Sequence, residues 1–268
     1  MIVLPEEKIK ATAVSASTIL MYSKPKQGKT TALSLLEDSI IIDTEKGSGF
    51  VEARKIQIDT TKPEHEQYKE FMDICRAIYM KGYNTETKVY TPFYKYLIVD
   101  TLSRVDEWSE VQGTLEYMDK AQGKKMNRNA KGEVISPTSK DFETVHDMPN
   151  GYGYKHSRAT MLELYDRVCT LAPRVIFVCH TKDKIVATNL TESVMTKEIS
   201  LTGKLKDIIA SKVDTIMYCY RDGNKLMASF SGEDGTRCSY LSGKTIVLTE
   251  SDDKGKIVVN NWNQIFID

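Results

Sequence analysis

The sequence lacks the features that would direct a chain to a membrane or out of the cell. No apolar run approaches the roughly 20 residues of a membrane-spanning helix. The charged residues Glu6, Glu7, Lys8 and Lys10 interrupt the stretch where a secretory signal would lie. The cysteines are odd in number, form no CxxC pair and lie mostly in apolar surroundings: Cys75, Cys169, Cys179, Cys219 and Cys238. Because this usage is typical of reduced core cysteines, we expect a soluble, cytoplasmic protein with no membrane partner.

The charge shows no excess of either sign. The chain has 37 Lys and Arg residues against 37 Asp and Glu residues, so no global field attracts it to nucleic acid or to an anionic membrane. Any surface that binds anions must therefore come from local clustering of cations. Hydrophobic residues make up 41% of the chain, which is enough for one sizeable core, and we predict a single domain over residues 1–268.

Short strand-like runs alternate with helical patterns along most of the chain. The strand-like runs, mostly continuous and apolar, lie at 18–22, 39–43, 55–58, 94–101 and 174–181. Helical spacing of apolar residues lies at 30–38, 63–82 and 158–173. This alternation predicts an α/β fold with a mainly parallel central sheet flanked by helices. Residues 213–268 instead show short strands and turns, which predict antiparallel hairpins that extend the sheet.

One segment has the pattern of a phosphate-binding loop, GxxxxGK[ST], except that serine replaces the first glycine. In this pattern backbone N–H groups surround the phosphates, the lysine contacts the terminal phosphates, and the final hydroxyl binds magnesium. A bare Gly-Lys-Thr often occurs by chance, but here a buried strand precedes it and a helix follows. We therefore expect ATP and Mg²⁺, with Lys29 also catalytic and Thr30 a metal ligand. The predicted nucleotide-binding residues are Ser23, Lys24, Pro25, Lys26, Gln27, Gly28, Lys29, Thr30 and Thr31.

Polar residues end three of the predicted strands, at the edge of a parallel sheet where ligands bind. Asp100, followed by Thr101, is predicted to hold magnesium; the alternative is an acid that caps the next helix. Glu45 is predicted to orient and deprotonate the water that attacks ATP, with Asp43 as a rival and a solvated acidic loop as the alternative. His180 is predicted to contact the γ-phosphate; the alternative is a hydrogen-bonded histidine without that task.

The stretch 119–153 departs from the regular pattern, because it is rich in Gly, Asn, Pro and Lys and has no periodic apolar face. Its first part is basic and suits a surface that follows a phosphate backbone; the alternative is a loop that only increases solubility. Nearby aromatic candidates for stacking on bases are Tyr117, Phe142, Tyr152 and Tyr154. The cations predicted to contact nucleic acid are Lys124, Lys125, Arg128 and Lys131, together with Lys182 and Lys184.

In their order, five segments resemble the core of the RecA-like ATPases, and most closely the phage-encoded Sak-type annealing and recombination ATPases. The segments are SKPKQGKTT, IIIDTEKGSG, YLIVDTLSRV, VIFVCHTKDK and LTGKLKDIIASKVDTIMY, within roughly residues 15–245. The resemblance implies that Glu45 is the catalytic base, Asp100 the strand-end aspartate and His180 the γ-phosphate sensor. Lysine and proline inside the phosphate-binding loop are also common in that family. The chain departs from the family at Ser23 and in the length of the 119–153 loop.

The resemblance further implies an ATPase that forms rings or filaments and handles single-stranded DNA, with a single-strand binding protein as a further partner. Because RecA-like assemblies bind nucleotide between protomers, a neighbour would supply a cation, for which Arg237 and Lys244 are candidates; the alternative is exposed hairpin charge. A nucleotide-gated binding protein with negligible hydrolysis is the main rival. A small-molecule kinase is disfavoured because the long loop is not arginine-rich. A helicase or motor on the same core is a further alternative, although helicases usually need an extra domain for which the chain leaves little room.

Overall fold

The computed structural model describes residues 15–187, 193–231 and 236–267, with side chains described outside 183–197. The strands are β1 (Thr18–Ser23), β2 (Ser39–Asp43), β3 (Lys55–Gln57), β4 (Tyr83–Asn84), β5 (Val89–Tyr90), β6 (Tyr96–Asp100), β7 (Arg174–Ala187), β8 (Ser193–Ile199), β9 (Thr215–Asp222), β10 (Lys225–Ser229), β11 (Thr245–Ser251) and β12 (Ile257–Asn260). The α-helices are α1 (Lys29–Leu33), α2 (Glu64–Gly82), α3 (Leu102–Met118), α4 (Tyr154–Cys169) and α5 (Leu205–Lys212).

The central sheet has the strand order β12-β11-β10-β9-β1-β7-β6-β2-β3, and β8 pairs with the extended end of β7. The pairs from β9 to β3 are all parallel, whereas β9 to β12 form an antiparallel meander. The predicted fold class is therefore confirmed: a mainly parallel sheet with antiparallel strands at its C-terminal side. One detail differs, because β9 is parallel to β1 on one side and antiparallel to β10 on the other.

Apolar side chains cover both faces of the parallel strands, which explains their continuous rather than alternating hydrophobicity. Successive residues point to opposite faces, so Leu20 joins the core beneath α2 to α5, while Ile19 joins the core beneath α1 and the C-terminal segment. Trp262 anchors that segment, because its indole N–H donates to the carbonyl of Ala32 at 2.7 Å. The two cores fix the sheet on which the strand-end residues lie.

The helix predicted over 30–38 is shorter in the structure, where α1 ends at Leu33. The next turn closes with backbone bonds to the third residue back, from Leu35 to Ala32 and from Leu36 to Leu33. Asp38 then adopts a left-handed conformation, with φ of 55°, and turns the chain into β2. The helical spacing of apolar residues over 30–38 therefore predicted a longer helix than the one that forms.

The 119–153 stretch contains no α-helix; it consists of turns, an isolated Arg128↔Val134 bridge and short 3-10 helices at Val145–Asp147 and Pro149–Gly151. Helix α5 and the β7–β8 hairpin were not predicted from the sequence. In the parts of the chain that the structure describes, no helix has both the length and the apolar character needed to cross a membrane.

Candidate nucleotide site

The carboxyl ends of β1, β2 and β6 lie level with one another and with His180, which does not end its strand as predicted, because β7 continues to Ala187. The register pairs Asp43 at the end of β2 with Asp100 at the end of β6, and Ser23 at the end of β1 with His180 in β7. Asp100 in turn pairs with Val178, two residues before His180. The segment 24–28, which follows β1, therefore lies at the same edge of the sheet as the polar ends of β2 and β6 and as His180.

Ser23, which occupies the position of the usual first glycine, is fully buried and contacts the loop lysine. Its hydroxyl donates to the carbonyl of Lys24 at 2.8 Å and accepts from Lys29 Nζ at 2.8 Å. Lys29 Nζ also donates to the carbonyl of Lys24 at 3.2 Å. Gly28 caps α1 in a left-handed conformation with φ of 93°, which glycine adopts without strain. Serine at the first position thus adds a hydrogen bond to Lys29 and another to the backbone of the loop at Lys24.

The hydroxyl of Thr30 donates to Asp100 Oδ2 at 2.7 Å, which joins the start of α1 to the end of β6. Burial lowers the pKa of Lys29 and raises the pKa of Asp100, although each charge partly offsets the shift of the other. New partners of opposite charge would therefore stabilise the charged forms of both Lys29 and Asp100. A triphosphate beside Lys29 and a cation held by Thr30 and Asp100 would supply such partners, and hydroxyl and carboxylate oxygens suit Mg²⁺.

Glu45 contacts Thr101, which follows β6, and His180 in β7. His180 Nε2 lies 3.1 and 3.0 Å from its two carboxylate oxygens, and the hydroxyl of Thr101 donates to Oε1 at 3.0 Å. The hydrogen bond from His180 is the main cause that lowers the pKa of Glu45 below its ordinary value, against the effect of burial. Glu45 is thus held as a carboxylate at the edge of the pocket.

Asp43, the rival acid, serves the loop that follows β2 instead. Its carboxylate accepts hydrogen bonds from the backbone N–H groups of Glu45, Gly47 and Ser48, from the Ser48 hydroxyl and from the Gln57 amide. Burial raises the pKa of Asp43, but the bonds from Ser48 outweigh it and leave the pKa below the ordinary value. Asp43 and Glu45 both line the cavity, but the bonds of Asp43 hold the turn that carries Glu45, whose carboxylate contacts only side chains.

These residues border one cavity of about 470 Å³. The loop residues from Pro25 to Thr31 form one wall, and Glu45, Asp100, Thr101 and His180 form the opposite wall. Ser23 and Lys24 lie behind the loop and act through Lys29. Among the described residues no group of three or more His, Cys, Asp or Glu side chains can hold a metal ion. A cation here would therefore take some of its ligands from the phosphates.

A second cavity, of about 510 Å³, lies between the amino-terminal ends of α4 and α5. Its lining combines aromatic rings and cations: Tyr152, Tyr154, Lys155, Arg158 and Lys204. Tyr154 stacks on His146 with ring centroids 4.3 Å apart, while 41% of its surface stays exposed. His146 is itself fixed between Glu110 and Ser157, at 2.9 and 2.7 Å. The rings and cations therefore converge on one surface.

A short chain of hydrogen bonds connects the two cavities. The Ser103 hydroxyl accepts from the backbone N–H of His180 at 3.2 Å and donates to the carbonyl of Ser200 at 2.9 Å. Two residues further on, the backbone N–H of Thr202 donates to Asp106 Oδ2 at 2.7 Å. Thr202 and Asp106 both line the second cavity. A displacement of His180 would therefore reach that cavity through backbone contacts.

The cations predicted to bind nucleic acid are less concentrated than the sequence suggested. Arg128 is engaged inside its own loop, where it donates to the carbonyls of Lys124 and Gly132 at 2.7 and 2.6 Å. Lys182 Nζ lies 3.4 Å from the carbonyl of Leu201 and 3.8 Å from Glu198. The remaining loop cations, Lys124, Lys125 and Lys131, are exposed, and the side chain of Lys184 lies outside the described residues.

The two cations proposed to act on a neighbour lie in the C-terminal part of the sheet. Arg237 donates to the carbonyl of Ser211, and its Nη1 lies 3.9 Å from Asp214 Oδ1, beside the start of β9. Lys244 is exposed, and its carbonyl accepts from the N–H of Phe230 at 2.9 Å. Neither residue lines the chain's own nucleotide cavity.

The fold and the site together define a P-loop ATPase core, and nucleotide binding is the property that this class shares. The chain belongs to the AAA_24 family of AAA domains, whose sequence profile matches residues 15–250. No curated protein matches the chain.

Similar solved structures include the RadB recombinase, at 11% identity, TM-score 0.43 and 91% coverage of both chains. Another is the KaiC-like protein PH0186 from Pyrococcus horikoshii OT3, at 10% identity, TM-score 0.42 and coverage of 91% of this chain and 90% of that one. A third is an ATPase from the type III secretion system of pathogenic bacteria, at 11% identity and TM-score 0.39. That match covers 77% of this chain and 53% of the secretion ATPase, so the chain spans about half of its length.

Proposed function

We propose that this protein hydrolyses ATP with magnesium and couples the nucleotide state to self-assembly and to single-stranded DNA binding in phage-type recombination or annealing. The observation that carries the proposal is the convergence of Lys29, Thr30, Asp100, Glu45 and His180 on one cavity beside the phosphate-binding loop. Each residue type suits one requirement of phosphoryl transfer to water.

Lys29 binds the terminal phosphates, and Thr30 and Asp100 hold the magnesium ion. When bound, magnesium neutralises charge that develops on the phosphate oxygens. Glu45, held by Thr101 and His180, orients the attacking water and accepts its proton. Because His180 contacts Glu45 through its ring and Ser103 through its backbone N–H, it reports the state of the γ-phosphate to the rest of the fold.

Single-stranded DNA binds at the second cavity, where Lys155, Arg158 and Lys204 contact phosphates and the exposed face of Tyr154 stacks on a base. Exposed cations of the 119–131 segment extend this surface. The bond chain through Ser103 supports coupling to ATP, because it joins His180 to residues that line the second cavity.

The same proposal includes homo-oligomers, as rings or filaments, in which Arg237 or Lys244 acts on a neighbour's nucleotide. It also includes a single-strand binding protein as a partner and the cytoplasm of a bacterial host as the site of action. A single domain over residues 1–268 carries these activities.

The test is steady-state ATP turnover with and without single-stranded DNA at two salt concentrations. We expect turnover that DNA stimulates, with a stimulation that fades as salt increases. Glu45→Gln should lower kcat about 100-fold or more while ATP binding persists, as expected for loss of a general base. Glu52→Gln, which changes an exposed acid in the same loop, is the matched control and should be neutral. Turnover that ignores nucleic acid would contradict the coupling, and normal turnover in Glu45→Gln would contradict the catalytic assignment.

A nucleotide-gated binding protein is the second candidate, and one observation favours it. The hydrogen bonds to Glu45 lower its pKa, which makes the carboxylate a weaker base and hydrolysis slower. Under this candidate ATP binding alone would control partner binding. Wild-type protein and Glu45→Gln would then recruit DNA equally well, and neither would turn over ATP.

A further inference from the structure

Strand β9 extends past β1, its parallel partner. Its parallel register with β1 ends at the pair Tyr22↔Tyr218, but β9 continues to Asp222. Its last residues therefore lie alongside the loop that follows β1, rather than alongside β1 itself. A strand that projects in this way can contact the phosphate-binding loop from the side opposite to β7.

Arg221, in this part of β9, donates two hydrogen bonds to Gln27. Its backbone N–H donates to Gln27 Oε1 at 3.0 Å, and its side-chain Nε donates to the carbonyl of Gln27 at 3.0 Å. Its Nη1 donates to the carbonyl of Asn224 at 3.2 Å, which fixes the guanidinium against the β9–β10 turn. Both the side chain and the backbone of Gln27 are thereby bound to one residue outside the loop.

We propose that Arg221 is a positioning residue for nucleotide binding: it holds the Gln27–Gly28 peptide in the orientation that the phosphates require. The inference rests on the proposed nucleotide-binding function. In a trans peptide the C=O and N–H groups point in opposite directions. Because Arg221 binds the Gln27 carbonyl, the N–H of Gly28 is directed away from Arg221, and Gly28 lines the nucleotide cavity.

The surroundings of Gly28 show how closely the guanidinium fits. A Cβ atom at Gly28 would lie 2.8 Å from Arg221 Nη2, so the side chain packs directly on the glycine that caps α1. Arginine suits the position because its planar group donates to two carbonyls at once, which the single amine of lysine cannot do in the same geometry. The guanidinium also adds positive charge near the bound phosphates.

The test compares Arg221→Gln and Arg221→Lys with the wild type in ATP binding and turnover. We expect Arg221→Gln to raise both Kd and KM for magnesium-ATP about tenfold, while kcat stays within about threefold, as for loss of binding that is equal in the ground and transition states. Arg221→Lys keeps the positive charge but loses the planar guanidinium that donates to two carbonyls, so it should recover less than half of the lost ATP affinity. Lys225→Gln, a cation on the same hairpin that pairs with Glu250, should bind ATP normally.

Three results would overturn the inference. They are an unchanged KM in Arg221→Gln, a loss confined to kcat, and an equal defect in Lys225→Gln. If Arg221→Gln does not fold, Arg221→Lys takes its place, and normal ATP affinity in that variant would also overturn the inference. Failure of the proposed function is distinguishable, because it would show as wild-type protein that does not bind magnesium-ATP.

Discussion

His180 Nε2 lies within hydrogen-bond distance of both carboxylate oxygens of Glu45, at 3.1 and 3.0 Å. The two residues come from β7 and from the loop after β2, with β6 between those strands. The pair therefore spans the end of β6, where Asp100 and Thr101 lie, and it closes one side of the nucleotide cavity.

The first prediction concerns the pH dependence of turnover. The bond from His180 is the main cause that lowers the pKa of Glu45, so His180→Ala should raise that pKa toward its ordinary value of 4.5. Glu45 would then be protonated at higher pH, and the acid limb of kcat/KM without DNA should move upward. The measurement is a pH–rate profile, with His65→Asn in α2 as the control. An acid limb that stays in place in His180→Ala would contradict the role of the pair.

The second prediction concerns stability. Asp43 has a pKa below its ordinary value of 3.8, so its contribution is complete above that pH and is lost as pH falls through the folded-state pKa. At neutral pH, Asp43→Asn should lower the free energy of unfolding by about 1.5 to 3 kcal/mol, because charged hydrogen bonds are replaced by weaker ones. Denaturant titration at several pH values should show the difference narrowing only below pH 3.8.

Asp38→Asn is the matched control for this measurement. Asp38 is an exposed acid whose left-handed backbone suits asparagine, and its pair with Arg54 spans 3.5 Å at the surface. We expect a change within about 0.5 kcal/mol. If Asp43→Asn and Asp38→Asn lose a comparable free energy of unfolding, the hydrogen bonds from Ser48 and Gly47 to Asp43 contribute little to stability.

The third prediction separates coupling from catalysis. Ser103→Ala removes the hydroxyl that links His180 to Ser200 beside their direct backbone bond of 2.9 Å, so basal turnover should stay within about twofold while DNA stimulation falls at least about twofold. Ser109→Ala is the control, because this buried hydroxyl on the same helix bonds to the carbonyl of Val105 and to the sulfur of Met161 and contacts neither His180 nor Ser200. Full stimulation in Ser103→Ala would show that the signal takes another route.

The fourth prediction tests the aromatic part of the DNA surface. Tyr154→Ala should weaken single-stranded DNA binding by about 1 to 3 kcal/mol, the usual contribution of stacking on one base, and should leave ATP affinity unchanged. Fluorescence anisotropy with a labelled oligonucleotide measures the effect. Phe93→Ala, at an aromatic residue that is 57% exposed and lines neither cavity, is the control. Equal affinity of Tyr154→Ala and wild type would place the DNA elsewhere.

Much of the fold was predictable, because continuous apolar strands between helical patterns specify a parallel sheet and place polar strand ends at one edge. The sequence predicted Glu45 with Asp43 as its rival, but it could not show that the N–H groups of Glu45, Gly47 and Ser48 bind Asp43, since that depends on the shape of the turn. The second cavity depends on how α4 and α5 meet in space, and no local pattern encodes that. The contact of Arg221 with Gln27 depends on strand register, which the hydrophobic pattern of β9 does not fix by itself.

The projection of β9 beyond β1 makes one strand serve two purposes. Its first half places Met217 in the core, and its last half places Arg221 against the nucleotide loop. A one-residue shift in the register of β9 against β1 would turn Met217 to the opposite face and carry the guanidinium away from its carbonyl partner. Hydrophobic packing and ATP affinity would then fail together, even though no residue that touches the phosphates had changed.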